Sequence, residues 1–401
     1  MRVVVCHNFY KQPGGEDRVF RDETTLLESS GHRVIRFTVH NDTTDGMSPL
    51  SLAASAVWNR ESATLLRDLV RKTQADVVHF HNTVPLVSPS AYYAARKAGA
   101  AVVQSLHNYR TICPKATFFR DGGVCESCLG RKVALPAVVH ACYRESRAAS
   151  ATLAGMLAIH GLLGTYRRAV DAYIAMSQFA RRKLIEGGLP AERIALKPNF
   201  VSPDPGAGAG RSGYAMFLGR LSPEKGVDVL LEAWRQMAGG VPLRIVGNGP
   251  LAEDVRSAAR ANANVEWLPG KDDDEVRRLM QDAALLVLPS VNYEGFPKTI
   301  VEAFSVGTPV VASRLGAMQE IVEDGRTGAH FTAGDAADLA GKIELLMSTP
   351  ATLAAMRRAC RDEYLRKYTA EQNYRTLIEV YERAVSVRRG EAPRPVDAAL
   401  T

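Results

Sequence analysis

The strongest constraint on the fold is an alternation of strand-like and helix-like segments that runs twice along the chain. In the first half, the strand-like segments are MRVVVCH, HRVIRFTV, ADVVHFH and AAVVQSLH, with helix-like stretches between them. After residue 213 the pattern restarts with YAMFLGR, LRIVGNG, NVEWLPG, ALLVLPS and PVVAS. Because the order strand, helix, strand produces parallel strands covered on both faces, the sequence predicts two doubly wound, Rossmann-like α/β domains that face a cleft.

The domain boundaries follow from the chain length and from a segment rich in proline and glycine. A chain of 401 residues fits two domains better than one core. We predict an N-terminal domain at 1–199, a flexible linker at 200–213 (FVSPDPGAGAGRSG) and a C-terminal domain at 214–368. A helix is expected at 369–387, with packing against the N-terminal domain as one arrangement, and residues 388–401 are expected to be disordered.

Charge and hydropathy narrow the functional classes. The net charge of +7 and the pI near 9.1 favour anionic partners, such as phosphates, nucleic acid or an anionic membrane surface. No apolar run is long enough to span a bilayer, and the first residues lack the pattern of a signal peptide. We therefore expect a cytoplasmic protein.

The segment NYEGFPKTIVEAFSVGTPVVAS, residues 292–313, places Glu294 before a predicted helix and Glu302 inside it. Pro297 suits the first helical position, because its missing N–H would be unpaired there. The backbone N–H groups of residues 295–299 would then point beyond the strand ends, where open α/β sheets bind ligands. Glu294 could accept hydrogen bonds from sugar hydroxyls and Glu302 from a ribose diol. Taken alone, the spacing equally describes two unrelated helix acids.

A second candidate segment is GRLSPEKGVDVLLEA, which follows a predicted strand and opens a helix. Arg220 and Lys225 lie in its loop. Two cations beside a helix N-terminus form an anion site. The alternative is a pair of solvated surface charges.

Four segments, GRLSPEKG, LRIVGNGP, EGFPKTIVEAFSVGTPVVAS and EIVEDGRTG, occur in the order seen in retaining glycosyltransferases of family four. The resemblance covers nearly the whole chain and implies the GT-B fold, with a nucleotide-sugar bound by the second domain. It implies that Arg220 and Lys225 hold the diphosphate, that Glu294 contacts the donor hexose and that Glu302 contacts the ribose. The chain departs from the family in having Gly-Phe-Pro-Lys after Glu294, where Lys298 adds a cation.

The first half carries features that suit an acceptor-binding domain. Gly14 and Gly15 follow the first strand and open a helix, so the backbone there could approach a phosphate or a sugar, or simply form a turn. His107 ends a predicted strand, and the resemblance implies that it lies near the transferred sugar. The family usually has Asp next, where this chain has Asn108.

The complete set of predicted site residues has two parts. The residues predicted to be catalytic are His107, Arg220, Lys225 and Glu294. The residues predicted to bind the donor are Gly14, Gly15, Asn199, Gly247, Gly249, Gly295, Phe296, Pro297, Lys298, Thr299 and Glu302. Ser177 and Lys183 lie in segments similar to family segments near the domain junction, and we expect them to be structural.

The cysteines suggest a metal. Four of them form the pattern C-x11-C-x2-C-x13-C in a loop-rich insertion at 113–142: Cys113, Cys125, Cys128 and Cys142. Such spacing suits a structural zinc ion, with His140 as a substitute ligand, while free thiols and a redox role are the alternatives. No catalytic metal is expected, and the acidic run DDDE at 272–275 is interpreted as helix capping.

Two further patterns have alternatives. GNGPLA at 247–252, with Glu266 further on, fits a dinucleotide fingerprint but follows the second strand of its domain rather than the first. The basic stretch 144–183 encloses ASATLAGMLAIHGLLGTY, which is either a buried helix or a surface that docks on anionic lipid. Nucleic-acid binding fits less well, because aromatic residues are not interleaved with the basic ones.

The sequence therefore predicts a retaining, metal-independent hexosyltransferase. It would move a hexose from a nucleotide diphosphate sugar to a sugar or lipid-linked glycan, in bacterial surface polysaccharide or glycolipid synthesis, with peripheral contact on the inner face of the membrane. The alternatives are a GT-B epimerase or sugar-phosphate synthase, and a catalytically inactive nucleotide-sugar sensor.

Overall fold

The structure is a computed structural model that describes residues 1–12, 14–210, 212–237 and 240–391. The chain forms two compact units. The first contains Met1–Ala116, Glu126–Pro198 and the chain from Asn373 onward, and the second contains Thr117–Cys125 and Asn199–Gln372.

The strands, in chain order, are β1 (Arg2–Phe9), β2 (Arg33–His40), β3 (Val77–Phe80), β4 (Ala101–Ser105), β5 (Phe119–Arg120), β6 (Gly123–Val124), β7 (Ala172–Ala175), β8 (Ile194–Leu196), β9 (Ala215–Leu218), β10 (Leu243–Val246), β11 (Val265–Leu268), β12 (Leu285–Leu288), β13 (Val310–Ser313) and β14 (Gly328–Phe331). β5 and β6 form a small antiparallel pair.

The helices are α1 (Gly15–Ser29), α2 (Pro49–Val57), α3 (Arg60–Thr73), α4 (Ser90–Lys97), α5 (Leu135–Val139), α6 (Arg147–Leu162), α7 (Thr165–Arg168), α8 (Gln178–Glu186), α9 (Val227–Gln236), α10 (Ala252–Ala261), α11 (Asp273–Asp282), α12 (Lys298–Ser305), α13 (Gly316–Ile321), α14 (Ala336–Met347), α15 (Pro350–Lys367) and α16 (Ala370–Arg389). Short 3₁₀ helices cover Asn41–Gly46, Ala191–Arg193 and Pro223–Lys225.

The first unit is built on a six-stranded sheet in the order β2-β1-β3-β4-β7-β8, and every pairing in it is parallel. The middle of β1 is buried on both faces, as its run of valines predicts for a parallel strand covered by helices. Helix α16 contributes to the same core, because Leu377, Tyr381 and Ala384 pack in one cluster with Val3 and Val5.

The C-terminal helix is longer than the sequence indicated. It extends to Arg389, so the first residues of the predicted disordered tail are helical. Residues 392–401, on which the rest of that prediction falls, lie outside the described residues.

The second unit has a six-stranded parallel sheet in the order β11-β10-β9-β12-β13-β14. Alternate residues of β9 point to opposite faces, as the two-residue period of a strand requires. Phe217 packs in the cluster that contains Trp234, and Met216 packs in the cluster that contains Phe304. Both faces of the sheet are therefore covered by helices, and the prediction of two doubly wound Rossmann-like folds is confirmed.

The segment 200–213 is held by hydrogen bonds rather than free. The Gly208 N–H donates to the carbonyl of Val306 (2.8 Å), and the Gly210 N–H donates to that of Gln281 (3.0 Å). The Asp204 carboxylate pairs with Arg361 at 2.6 Å. The flexible linker stays a prediction, and these bonds show that a proline- and glycine-rich composition excludes helix and strand but not close packing. A Cβ on Gly208 would lie 2.3 Å from the Gln281 carbonyl oxygen.

Across the described residues, no helix combines the length and the hydropathy needed to cross a bilayer.

Candidate functional site

The topology of the second unit places its site. Strands β9 and β12 are central neighbours, yet the chain proceeds from β9 to one edge of the sheet and from β12 to the other. The loops after these two strands therefore diverge, and ligands of open α/β sheets bind at such a switch point. Arg220 and Lys225 follow β9, and Glu294 follows β12. The structure thus brings the predicted donor loops to one place.

A salt bridge joins these two loops. The Lys225 Nζ atom lies 2.7 Å from Glu294 Oε1, and the Ser290 hydroxyl donates to the same oxygen at 2.8 Å. The Glu294 side chain is only 12% exposed, while that of Lys225 is 31% exposed. The carboxylate is therefore fixed in position by two donors, and the ammonium group keeps access to solvent.

Helix α12 carries the second acid. Glu302 lies one turn after Lys298, and Lys298 Nζ is 4.0 Å from Glu302 Oε1. The helix begins at Lys298, so the prediction that Pro297 takes the first helical position is wrong by one residue. Pro297 is instead the N-cap residue with ψ 101°, an extended value, because caps have non-helical dihedral angles.

Other predicted donor residues lie at the same helix start. Gly295 and Thr299 are half-buried, and Pro297 is buried. Phe296 packs against the hydrophobic core, with its ring centroid 6.1 Å from that of Tyr368. Packing accounts for Phe296, and its predicted contact with the donor stays a prediction.

Close backbone approaches hold the loop of Arg220 in place. A Cβ on Gly247 would lie 1.9 Å from the Gly219 carbonyl oxygen, and one on Gly249 would lie 2.4 Å from that of Leu221. The loop after β10 therefore packs directly on the loop after β9, which only glycine permits. This contact explains the two glycines of GNGPLA without a dinucleotide, and their predicted contact with the donor stays a prediction.

In the first unit, the same dipeptide lies at or just beyond the carboxyl ends of four strands. His-Asn occurs at residues 7–8 in β1, at 40–41 where β2 ends, at 81–82 after β3 and at 107–108 after β4. His81 Nδ1 lies 2.9 Å from His107 Nε2, and the two rings stack at 5.1 Å between centroids. They line a pocket together with Asn82, Gln104 and Asn108. His107 is thus at the mouth of a pocket, whereas His81 was missed; the repeated dipeptide is the signal that could have found it.

A buried ionic network lies behind this histidine pair. The Lys197 ammonium bonds to Glu23, whose other oxygen lies 3.5 Å from His81 Nε2 and 3.8 Å from His79 Nδ1. All of these side chains are inaccessible to solvent. The ligand atoms of Glu23, His79 and His81 lie within 4.8 Å of one another, as in a metal site, but the ammonium group already supplies the counter-charge. We interpret the cluster as an ion-pair network.

The network and its burial determine the protonation and the tautomer of His107. A carboxylate beside His81 Nε2 favours a proton on that nitrogen, so His81 Nδ1 accepts from His107 Nε2–H. Burial lowers the pKa of His107 to about 3 and that of His79 to about 3, and it holds the pKa of His81 well below its usual range. Three neutral imidazoles are therefore expected at neutral pH.

A carboxylate not foreseen from the sequence lies near His107. Glu16, on α1, accepts a hydrogen bond from the Tyr10 hydroxyl at 2.8 Å and another from the Asn108 side chain. Burial raises the pKa of Glu16, and the bonds from Tyr10 and Asn108 oppose that rise. Asn108, the residue that follows His107, takes the place of the family's aspartate and bonds to the Glu16 carboxylate.

Gly14 and Gly15 lie in the first unit at the carboxyl end of β1. Gly14 is the N-cap residue of α1, and its N–H donates to Asp17 Oδ2 at 2.8 Å. Both glycines are exposed, with open space where a Cβ would stand. That opening is consistent with the predicted approach of a ligand to the backbone.

The predicted structural residues behave as expected. Ser177 caps α8, Lys183 pairs with Glu126 and Glu186, and Asp272 forms a capping box with Glu275. These roles are confirmed. Asn199 is buried, and its Oδ1 has no hydrogen-bond partner among the described residues.

The six cysteines lie at buried or partly buried positions. Cys113 is buried, and Cys125, Cys128 and Cys142 are half-buried. Cys128 and Cys142 pack against the cluster of Ala134, Ala137 and Ala154. The structural zinc ion stays a prediction for the four cysteines of the insertion.

Two family models match consecutive parts of the chain. The model described as Glycosyltransferase Family 4 matches residues 13–205, and the one described as Glycosyl transferases group 1 matches residues 207–363. The chain belongs to the group 1 glycosyltransferases of family 4. The resemblance to glycosyltransferases of family four is therefore confirmed, and the retaining mechanism stays a prediction.

Curated relatives include lipid and polysaccharide enzymes. The phosphatidyl-myo-inositol mannosyltransferase of Mycobacterium leprae is 32% identical over 234 residues, covering 55% of this chain and 62% of the relative. The amylovoran biosynthesis glycosyltransferase AmsK of Erwinia amylovora is 29% identical, covering 53% and 56%. The chain thus spans between half and two thirds of the length of these glycosyltransferase relatives.

Solved structures share the fold over nearly the whole chain. HepE from Anabaena in complex with UDP-glucose has a TM-score of 0.67 at 18% identity, covering 95% of this chain and 100% of HepE. Sucrose-phosphate synthase from Thermosynechococcus elongatus has a TM-score of 0.72 at 15% identity, covering 96% and 99%. The group 1 glycosyltransferase described here therefore has the GT-B fold.

Proposed function

We propose that this protein is a retaining glycosyltransferase that moves a hexose from a nucleotide diphosphate sugar to a sugar or lipid-linked glycan. The observation that carries the proposal is the Lys225–Glu294 salt bridge at the switch point of the second sheet. The mannosyltransferase and amylovoran relatives support a place in bacterial surface polysaccharide or glycolipid synthesis.

The charges of the site suit a donor of this kind. Arg220 and Lys225 would hold the diphosphate, with Lys298 adding a third cation, because cationic side chains make the strongest hydrogen bonds to phosphate. Carboxylates repel a diphosphate but accept hydrogen bonds from hydroxyl groups. Glu294 would therefore contact the hexose, and Glu302 would contact the ribose diol.

The chemistry follows from charge development. Cleavage of the anomeric bond leaves negative charge on the diphosphate, which fixed cations and helix N–H groups stabilise without a catalytic metal. We favour attack by the acceptor hydroxyl on the face that the diphosphate leaves, with the hydroxyl proton passing to the leaving diphosphate, which retains the anomeric configuration. His107, held neutral, would hydrogen-bond a sugar hydroxyl rather than carry a charge.

The cavity beside His107 is the natural acceptor pocket. Its wall combines the Thr111 hydroxyl, whose oxygen has no hydrogen-bond partner among the described residues, with the apolar side chains of Met156 and Leu157. Such a hydroxyl can bond a sugar hydroxyl, and apolar side chains pack on the carbon face of a sugar ring. A neutral sugar therefore fits the wall better than a charged substrate.

The first test is ligand binding. A nucleoside diphosphate at 100 times its Kd should stabilise the protein by about 2.7 kcal/mol, which a thermal-shift panel of UDP, GDP, ADP, CMP and NAD would detect. Glu302→Ala should lose most of that shift. Glu344→Ala, an exposed acid of α14, is the matched control and should keep it.

Turnover separates an enzyme from a sensor. Release of the nucleoside diphosphate from its sugar should require an acceptor, supplied first as a lipid-linked glycan extract. If NAD alone stabilises the protein, or if Glu302→Ala responds like Glu344→Ala, the donor site proposed here is wrong. Binding without acceptor-dependent release would instead indicate a nucleotide-sugar sensor.

A further inference from the structure

Helix α6 is apolar on its outer side as well as its inner side. Its inner side contributes Leu153, Ala154 and Met156 to the core. Its outer side consists of residues that lie within about 80° of one another at 100° per residue and are exposed or half-exposed: Ala148, Ala151, Gly155, Ile159 and Leu162. Between Arg147 and Arg167 the chain has no Asp, Glu, Lys or Arg. A surface helix normally places charged residues toward solvent, so an uncharged outer side indicates a surface that contacts a partner.

The neighbouring helices widen this surface. Ala137 of α5 packs with Ala154 on one flank of α6, and Val57 of α2 packs with Leu153 and Met156 on the other. The two flanking helices also expose large apolar side chains. The most exposed members of the whole surface are Leu162 (86%), Leu50 (84%), Leu135 (60%), Val139 (55%) and Val133 (51%).

Trp58, which follows α2, fixes the edge of this surface. It is 41% exposed, and its ring stacks on that of the buried His160 of α6 at 5.8 Å and 7°. The stack holds the indole in place at the margin of the apolar area. Tryptophan in such a position is enriched at membrane–water interfaces, because the ring is large and apolar yet carries an N–H.

Cations border the apolar area on the side of α5 and α6. Between residues 131 and 168, six exposed side chains are basic, while Glu145 is the only acidic residue in that range. Arg144 and Arg147 lie at the start of α6, Arg167 and Arg168 follow its end, and Arg131 and Lys132 precede α5. An apolar centre with a basic rim is complementary to a bilayer with anionic headgroups.

We propose that this surface, formed by α2, α5 and α6 and called here the α6 face, docks on an anionic lipid bilayer. The apolar side chains would enter the headgroup region, and the arginines would bind lipid phosphates. A second copy of this chain is a poorer occupant, because a symmetric contact would place one basic rim against the other. The inference is independent of the proposed function, since it can be tested without any sugar.

The test is co-sedimentation of the full chain with vesicles. We expect binding to phosphatidylcholine vesicles that contain phosphatidylglycerol and little binding to phosphatidylcholine alone. Leu162→Asp should weaken vesicle binding about tenfold or more, because it removes an apolar side chain that would enter the bilayer and places a charge there instead. Leu345→Asp, at a 59% exposed leucine of α14, is the matched control and should bind like the wild type.

A second pair of variants tests the rim. Each cation near an anionic surface contributes about a fivefold gain in binding, so Arg147→Glu should weaken it by fivefold or more. Arg358→Glu, at an exposed arginine of α15, should change it little. Circular dichroism melts and nucleoside diphosphate binding should be unchanged in all four variants, which separates loss of docking from loss of fold or donor site.

Three results would overturn the proposal. One is the absence of binding to anionic vesicles by the wild type. Another is equal binding by Leu162→Asp and Leu345→Asp. The third is a wild-type dimer in solution that Leu162→Asp converts to a monomer, which would make the α6 face a protein interface.

Discussion

Replacing Gly226 with alanine should separate the two loops of the proposed donor site. Gly226 has φ +67°, and an added Cβ would lie 1.9 Å from the carbonyl oxygen of Pro289. Contacts of Cβ atoms below 3.0 Å are essentially never seen, so the two backbones must move apart by at least 3.0 − 1.9 = 1.1 Å.

This displacement would change the distance between Lys225 and Glu294, which form the salt bridge. Lys225 immediately precedes Gly226, and Glu294 follows Pro289 in the facing loop, with 2.7 Å between their side-chain atoms. A misplacement of about 1 Å can cost about 100-fold in rate, so kcat/KM should fall by that order. The free energy of unfolding should fall by about 1–2 kcal/mol for alanine at positive φ and by about 1–3 kcal/mol more for the clash.

Gly270→Ala is the matched control. Gly270 has φ +68°, almost the same as Gly226, but nothing lies within 4 Å of its added Cβ. It should show only the backbone cost and should keep its transfer activity. The measurements are thermal unfolding, where each kcal/mol corresponds to about 2–4 °C for a unit of this size, and the initial rate of acceptor-dependent nucleoside diphosphate release.

Equal behaviour of the two variants would refute this reasoning. If Gly226→Ala retained the activity and the melting temperature of Gly270→Ala, the contact with Pro289 would not be what positions Lys225. If only stability differed, the loops would be joined but their separation would not control the chemistry.

Three further predictions concern buried or paired charges. Lys197→Met should lower the free energy of unfolding, measured by chemical denaturation, by about 3–5 kcal/mol, because it leaves the Glu23 carboxylate buried without a counter-charge. Adding Glu23→Leu should recover much of that loss. An unchanged loss in the double variant would contradict this prediction. The pKa values of His79 and His107 lie near 3 in the folded state and near 6.5 in the unfolded state, so stability should be full above about pH 6.5 and decline toward pH 3. At pH 5, each histidine should lower the free energy of unfolding by about 2 kcal/mol. Melts of His107→Asn, which should lose less stability than the wild type between pH 8 and pH 5, test this prediction. Glu294→Gln should reduce the transfer rate by about 100-fold or more, because the proposed role of this carboxylate is to contact the hexose. The affinity for the nucleoside diphosphate, measured by calorimetry, should stay within a few-fold. Loss of nucleotide binding would instead assign Glu294 to the diphosphate.

The parts of the fold and site that depend on local sequence could be predicted. The strands of both sheets follow from short runs of Val, Ile and Leu, which are buried on both faces in the structure. The location of the proposed donor residues also follows from the sequence, because Arg220 and Glu294 lie in the loops after two strands that are central in the sheet. Parallel topology then brings such residues to the same edge of the sheet.

The parts that depend on distant contacts could not be predicted. Lys197 and Glu23 form their pair across 174 residues of sequence, and no local pattern marks either of them. The packing of 200–213 was missed for the same reason, because its hydrogen-bond partners belong to residues 281, 282 and 306. The boundary at Pro297 depends on a single ψ angle, which composition does not report.

Helix α16 has a consequence for how the polypeptide is made. Tyr381, fully buried, bonds to His79 in the interior of the first unit, and Leu377 packs with the strands of its sheet. A ribosome releases this helix only after the entire second unit has been synthesised. Although N-terminal domains generally fold first during synthesis, here the first unit must wait with an open core while the second is completed. We therefore expect the core of the first unit to stay open to solvent during that interval, and a stop codon directly after residue 372 would leave it without the side chains of α16.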